Sequence, residues 1–125
     1  MAVLIWSNTE MDKLLIVVVV IVVVVFVLKT MSGTKGNIVV AREKIKQGAL
    51  VIDVRTPGEY QGGHYEGAIN IPVQDLEARL GELKDKSRAI VVYCASGMRS
   101  ASATKILIHA GFADVTNAGG WDNLK

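Results

Sequence analysis

Cysteine, histidine and proline are scarce in this chain of 125 residues, which contains one cysteine, two histidines and two prolines. A single cysteine excludes an internal disulfide, and without a cluster of His and Cys ligands there is no reason to expect a metal. The formal net charge is only +2, and no basic run with interleaved aromatics occurs, so nucleic acid is not an expected partner. The length permits one domain of modest core size, and the unpaired cysteine is typical of a reducing compartment.

One long apolar run lies near the N-terminus. Residues 14–28 are all Leu, Ile, Val or Phe, with Lys13 and Lys29 at either end. A helix of that length covers about 22 Å, short of the ~30 Å hydrocarbon core of a bilayer, but lysines can snorkel and bilayers can thin locally. We therefore expect a short N-terminal segment at 1–13 and a transmembrane helix at 14–29. A cleaved signal and a buried strand are the alternatives, disfavoured by the preceding acidic residues and by the length of the run.

Charged residues around the apolar run predict its orientation. Lys13 is offset by Glu10 and Asp12, whereas basic residues follow the run at Lys29, Lys35, Arg42, Lys44 and Lys46. By the positive-inside rule, the part of the chain that follows faces the cytoplasm. The expected location is the inner cell membrane, crossed once, with the lipid bilayer as the partner of residues 14–29.

The rest of the chain alternates short apolar runs with helical patterns. Residues 30–36 are small and polar, typical of a flexible linker, so we expect a domain at 37–125. Strands are predicted at 37–40, 50–54, 68–71, 89–93 and 113–117, and helices at 41–47, from Pro57 onward, at 75–83 and at 100–110. This alternation predicts an α/β fold with a five-stranded parallel sheet and helices on both faces.

The single cysteine, Cys94, follows a predicted strand and precedes a loop of small residues and then a helical pattern. Backbone N–H groups and the positive end of the helix dipole would point at such a side chain and stabilise a thiolate. Arg99 adds a nearby cation that lowers a thiol pKa further. A small buried structural cysteine is the alternative. Catalytic loops of parallel α/β folds lie beyond the carboxyl ends of strands, which favours a nucleophile.

Four blocks of sequence resemble the single-domain rhodanese (thiosulfate sulfurtransferase) family. They are residues 53–60 (DVRTPGEY), 63–72 (GHYEGAINIP), 94–99 (CASGMR) and 119–121 (GGW), in the family's order and usual spacing. The resemblance implies the rhodanese-like fold, with Cys94 as the catalytic residue. Cys94 would carry sulfur as a persulfide from thiosulfate or another donor to cyanide or a thiol. No metal or organic cofactor is required, because sulfur itself is the group carried, and a protein is equally compatible as sulfur donor or acceptor.

The resemblance also implies that the loop after Cys94 binds the substrate through Ala95, Ser96, Gly97, Met98 and Arg99. Arg99 would supply a fixed cation for the sulfonate end of the donor. Phosphatases and arsenate reductases that share this fold have five residues between Cys and Arg, whereas this chain has four. The smaller loop favours sulfur transfer over phosphoryl hydrolysis. The alternative function is a non-catalytic rhodanese-like membrane tether or sulfur-relay binding module.

Other polar residues in the matched blocks are expected to be structural. His64 belongs to a block in which the family's histidine is structural, and a thiolate stabilised by its loop needs no base. Asp53, Arg55 and Glu59 are expected to form one structural ion-pair network near the base of the loop.

Overall fold

A computed structural model of the chain describes residues 7–31 and 33–125. Two compact units are present, and the division between them falls between Gly33 and Thr34, within the expected linker. The described residues of that linker, which the sequence predicts to be flexible, belong to helices. Residues 1–6 of the expected N-terminal segment and Ser32 of the linker lie outside the described residues. The division of the chain into segment, span, linker and domain stays a prediction.

The described part of the first unit contains one long helix, α1 (Asn8–Met31), of 24 residues. A helix of this length extends about 36 Å at 1.5 Å per residue. Polar residues at both ends continue the helix beyond the apolar run, so it is longer than the predicted 14–29. Residues Asn8–Leu28 are long and apolar enough to cross a membrane, and none of that segment is buried. These properties suit a membrane span, and an N-terminal signal sequence shares them.

The second unit is built on a parallel sheet of four strands: β1 (Leu50–Asp53), β2 (Ile69–Asn70), β3 (Ile90–Cys94) and β4 (Val115–Gly120). The strand order is β2-β1-β3-β4, and each neighbouring pair is parallel. The helices are α2 (Gly33–Lys46), α3 (Pro57–Gln61), α4 (Leu76–Arg79) and α5 (Met98–His109). Short 3-10 turns cover Val73–Asp75, Leu80–Glu82 and Trp121–Leu124. The predicted α/β fold with a parallel sheet is confirmed.

The prediction of five strands is wrong, because the described part of the chain contributes four strands to the sheet. The strand expected at 37–40 is part of α2. Ile38, Ala41 and Ile45 recur at helical spacing, and Ala41 is fully buried while the two isoleucines are partly buried. Packing of this stripe outweighs the strand preference of Val39 and Val40, both of which are exposed.

The core has one half on each face of the sheet, and β3 contributes to both. Val92 and Cys94 belong to a buried cluster that includes residues of α4 and α5. Val91 and Tyr93 belong to a second cluster, on the face where Ala41 of α2 packs. Successive side chains of a strand point to opposite faces. The final residue of β3, Cys94, is therefore directed towards α5.

Candidate active site

The backbone around Cys94 is fixed by a buried strand on one side and a helix on the other. Cys94 is the last residue of β3, which is buried along its whole length. Helix α5 begins at Met98, and Gly97 precedes it with a φ of 103°. Residues with a side chain rarely adopt that backbone conformation, so glycine permits the sharp turn between strand and helix. Ala95 and Ser96 complete the loop.

Hydrogen-bond donors surround the Sγ atom of Cys94. The N–H of Gly97 donates to Sγ at 2.9 Å, and the Oγ atom of Ser100 lies 3.3 Å from Sγ. Burial raises the pKa of Cys94, but hydrogen bonds from the side chain and backbone of Ser100 and from the backbone of Gly97 and Ser96 outweigh it. The pKa therefore lies below its ordinary value of 9.0. This arrangement stabilises the thiolate relative to that of an ordinary cysteine.

Ser100 is a site residue that the sequence patterns did not reveal. It is fully buried in the first turn of α5, and its Oγ donates to the carbonyl oxygen of Gly97 at 3.0 Å. In the thiol form, the S–H of Cys94 donates to Ser100 Oγ. An ionised sulfur can only accept, so the serine hydroxyl must then turn its hydrogen from Gly97 to Sγ. The sequence did contain a signal for the burial of Ser100. Ser100, Ala103 and Leu107 recur at helical spacing, and they form the buried face of α5.

Strand β4 packs directly against the loop through two glycines. The pairing of β3 with β4 shifts in register between Val92 and Tyr93, after which Cys94 pairs with Gly120. A Cβ atom at position 120 would lie only 2.6 Å from the carbonyl oxygen of Ala95. Glycine at this position therefore permits the close approach of the loop. A glycine pair inside a strand is a sequence signal for such an approach or for a bulge.

Arg99 is paired with Glu59, which belongs to α3. Its Nη1 donates to Glu59 Oε1 at 2.7 Å, and its Nη2 donates to Oε2 at 3.0 Å. This contact with Arg99, with help from hydrogen bonds to Thr56, lowers the pKa of Glu59 from 4.5 to about 2. The expectation of one network with Asp53 and Arg55 is wrong for Glu59, because α3 directs its carboxylate to the loop arginine instead.

Asp53 and Arg55 form a separate, buried ion pair. Arg55 Nη2 lies 2.6 Å from Asp53 Oδ2, and the hydroxyl of Tyr93 donates to the same oxygen at 2.8 Å. The Arg55 guanidinium also lies 4.6 Å from the ring centre of Trp121. Burial and the hydrogen bond to Asp53 raise the pKa of Tyr93 to about 12, which keeps its hydroxyl protonated as a donor. This network fixes Tyr93, the residue that immediately precedes Cys94.

His64 is exposed and takes no part in these contacts. Its ring stacks on Tyr60 with 3.6 Å between ring centres, and its Nδ1 atom lies 2.8 Å from the Tyr60 carbonyl oxygen. Among residues 7–31 and 33–125, no three or more His, Cys, Asp or Glu side chains come together as metal ligands would.

Access to Cys94 depends on the loop. Cys94 has no exposed surface, whereas Ala95, Ser96 and Met98 are exposed. A donor can therefore reach Sγ only when loop residues move, which is common for active-site loops. Together, these features define an α/β protein with a cysteine held in an anion-stabilising loop at the carboxyl edge of a parallel sheet.

Residues 39–125 match the Rhodanese-like domain family, and the chain belongs to that family. It is 44% identical over 74 residues to thiosulfate sulfurtransferase PspE of Escherichia coli, covering 58% of this chain and 71% of that protein. It is 37% identical over 90 residues to thiosulfate sulfurtransferase 16, chloroplastic, of Arabidopsis thaliana, covering 63% and 75%. A solved rhodanese with anions from E. coli matches with a TM-score of 0.58 and 40% identity, covering 61% of this chain and 91% of that one. The predicted family is confirmed.

Proposed function

We propose that this protein is a rhodanese-type sulfurtransferase that carries sulfane sulfur on Cys94, from thiosulfate or another donor to cyanide or a thiol. The observation that carries the proposal is the Cys94 Sγ atom at the carboxyl end of β3, accepting the Gly97 N–H at 2.9 Å. Backbone donors of this kind stabilise both a thiolate and a negatively charged persulfide. Four residues separate Cys94 from Arg99, a small loop that suits one sulfur atom better than a tetrahedral phosphate.

The reaction has two balanced steps. In the first, the Cys94 thiolate attacks the outer sulfur of thiosulfate, the S–S bond of the donor breaks, and its electron pair leaves with sulfite. The product is a persulfide anion on Cys94. In the second, cyanide attacks the outer sulfur and leaves as thiocyanate, or a thiolate takes the sulfur and becomes a persulfide, and the Cys94 thiolate is regenerated. Sulfur is the only group carried, so no cofactor is needed.

Residues of the loop are proposed to bind the substrate during both steps. The N–H groups of Ser96 and Gly97 would hold the charge on sulfur, and Ala95 has a side chain small enough to let the loop curve. Met98 would form the rim of the site. The hydrogen bond to Glu59 makes the largest contribution to the raised pKa of Arg99. The charge on Cys94 raises the pKa of Arg99 as well, so the two side chains lie close enough to interact.

Intact mass spectrometry tests the persulfide. Incubation with excess thiosulfate should add about 32 Da, the mass of one sulfur, and cyanide or reductant should remove it. Cys94→Ser should give no adduct and no turnover, whereas the exposed serine variant Ser102→Ala should behave like the parent protein. Full activity in Cys94→Ser would overturn the mechanism.

The proposed location is the inner membrane, with α1 as a single span and the domain in the cytoplasm. Support comes from the length of α1, from the exposure of its apolar side chains, and from the excess of basic residues after it. An impermeant thiol reagent should leave Cys94 unlabelled in intact cells and label it after lysis.

Fractionation separates anchoring from catalysis. The full chain should stay with membranes after carbonate extraction, and a fragment starting at Thr34, where the second compact unit begins, should be soluble and active. Labelling in intact cells would refute the cytoplasmic orientation, and a soluble full chain or one cleaved after α1 would refute the anchor.

A further inference from the structure

We infer that Glu59 is a specificity-determining residue: by occupying the guanidinium of Arg99, it disfavours the thiosulfate dianion and favours a persulfide donor, which has no sulfonate. The inference rests on the proposed sulfur transfer at Cys94, and it names the class of donor for that same site. It also changes the role expected of Arg99, from a free cation that binds a sulfonate to a cation already neutralised by a carboxylate.

Two hydrogen bonds hold the pair in a parallel, fork-like arrangement. Arg99 Nη1 and Nη2 reach the two carboxylate oxygens of Glu59 at 2.7 and 3.0 Å. This bidentate geometry is the strongest arrangement available to arginine and a carboxylate. Each side chain keeps 35% of its surface exposed, so solvent reaches the pair. The charge of Cys94 acts on Arg99, which indicates that the pair lies near the thiolate. A donor approaching the loop therefore meets the carboxylate together with the guanidinium.

Glu59 also has hydrogen bonds to Thr56, which hold its carboxylate in place independently of Arg99. Its Oε1 accepts from the backbone N–H of Thr56 at 3.2 Å and lies 3.1 Å from the Thr56 hydroxyl. In return, the N–H of Glu59 donates to Thr56 Oγ1 at 3.2 Å, completing a capping box at the start of α3. The carboxylate therefore cannot swing away when an anion arrives without losing these bonds as well.

The loop offers no second cation to a dianion. Arg99 is the single charged residue between Cys94 and Ala101. Arg55 also acts electrostatically on Arg99, but Arg55 is buried and donates to Asp53 and to the carbonyl oxygen of Gly63. Beside the loop, Met98 at the start of α5 offers an apolar surface, with 79% of its surface accessible. An apolar, adaptable rim suits an organic donor.

A hydropersulfide fits these features and gives a balanced transfer. The Cys94 thiolate attacks the outer sulfur of the donor R–S–SH, the S–S bond of the donor breaks, and its electron pair leaves with R–S⁻. Cys94 then carries –S–SH, and the total charge is unchanged. No sulfonate has to be neutralised at any stage, so the donor does not need the guanidinium that Glu59 occupies.

The test compares two donors with Glu59→Gln. Glutamine is also a capping-box residue, so this variant keeps the acceptor for Thr56 while removing the charge. The KM for thiosulfate should fall about three- to tenfold at low salt, and this gain should shrink as salt is added. With the hydropersulfide of 2-mercaptoethanol as donor, kcat and KM should stay within about twofold of the parent values.

Two further variants serve as controls. Glu77→Gln makes the same change at an exposed glutamate on α4 and should leave both donors unaffected. Arg99→Ala added to Glu59→Gln should abolish the gain with thiosulfate, because the cation that was released is then absent. The two donors also differ in intrinsic reactivity, so kcat/KM for each donor is divided by the rate constant of the same donor with a free thiol. In the parent protein, this corrected kcat/KM should be more than tenfold higher for the hydropersulfide than for thiosulfate.

The outcomes separate this inference from the proposed function. An unchanged KM for thiosulfate in Glu59→Gln, or an equal change for both donors, would overturn the role of Glu59 while leaving the Cys94 persulfide intact. If Glu59→Gln does not fold, the inference is tested on the parent protein alone, by comparing the corrected kcat/KM of the two donors. Equal values for both donors would refute the inference. Failure of both donors to load Cys94 would overturn the proposed function itself.

Discussion

Replacement of Gly120 by alanine should raise the pKa of Cys94 while leaving the domain folded. The added Cβ would lie 2.6 Å from the Ala95 carbonyl oxygen, and ordinary contacts begin at 3.4 Å, so the Ala95 peptide must move by about 0.8 Å. That movement is transmitted along the short loop to the N–H of Gly97, and would lengthen and weaken its 2.9 Å hydrogen bond to Sγ.

The expected size of the effect follows from that one bond. A hydrogen bond to a charged group contributes about 1.5–3 kcal/mol, and one pKa unit corresponds to about 1.4 kcal/mol. The pKa of Cys94 should therefore rise by about one to two units. Cys94 is the single cysteine, so the pH dependence of alkylation by iodoacetamide reports this thiol alone.

Gly81→Ala is the matched control, because a Cβ at position 81 meets nothing within 4 Å. It makes the same chemical change away from the loop, and its alkylation midpoint should equal that of the parent protein. Circular dichroism and thermal unfolding check that both variants are folded. A folded Gly120→Ala protein with an unchanged alkylation midpoint would refute the idea that β4 positions the loop.

Three further predictions concern neighbouring contacts. Ser100→Ala removes a donor to the thiolate and should raise the pKa of Cys94 by about one unit, and an unshifted alkylation midpoint would contradict this. Asp53→Asn leaves the charge of Arg55 buried without its partner and should reduce the free energy of unfolding by about 3–5 kcal/mol; a loss below ~1 kcal/mol in urea titrations would show that the pair is dispensable. The pKa of Glu59 is lowered from 4.5 to about 2, so its stabilisation is complete above pH 4.5 and is lost as the pH falls towards 2. Thermal unfolding of Glu59→Gln should consequently be less sensitive to pH in that interval, and an identical pH dependence in both proteins would count against the pair.

Features set by neighbouring residues could be predicted from the sequence. The apolar run ending at Cys94 and the small residues after it indicate a strand, a tight loop and a helix, all within a dozen positions. The alternation of such units predicts a parallel sheet, because parallel strands require crossover connections. These local patterns were enough to predict the fold class and the position of the cysteine at the carboxyl edge of the sheet.

Features that depend on competition between packing and local preference were predicted less well. Val39 and Val40 favour a strand by their branched side chains, but the burial of Ala41 depends on a helix. The helix expected at 75–83 is a single turn, α4, between two 3-10 turns. Ala41 and Leu76 each join a buried cluster built from distant parts of the chain, which the local sequence does not specify.

The net charge beside the Cys94 loop could not be predicted from the residues near the loop in the sequence. Asp53 and Arg55 are two positions apart at the end of β1, and their pairing is readily anticipated. Glu59 and Arg99 are 40 positions apart, and they meet because α3 follows β1 and α5 follows β3, two adjacent strands of the sheet. Parallel strands bring the segments that follow them to the same edge, so the partner of Arg99 is chosen by strand order. A change at position 59 should therefore alter donor preference without touching the loop sequence.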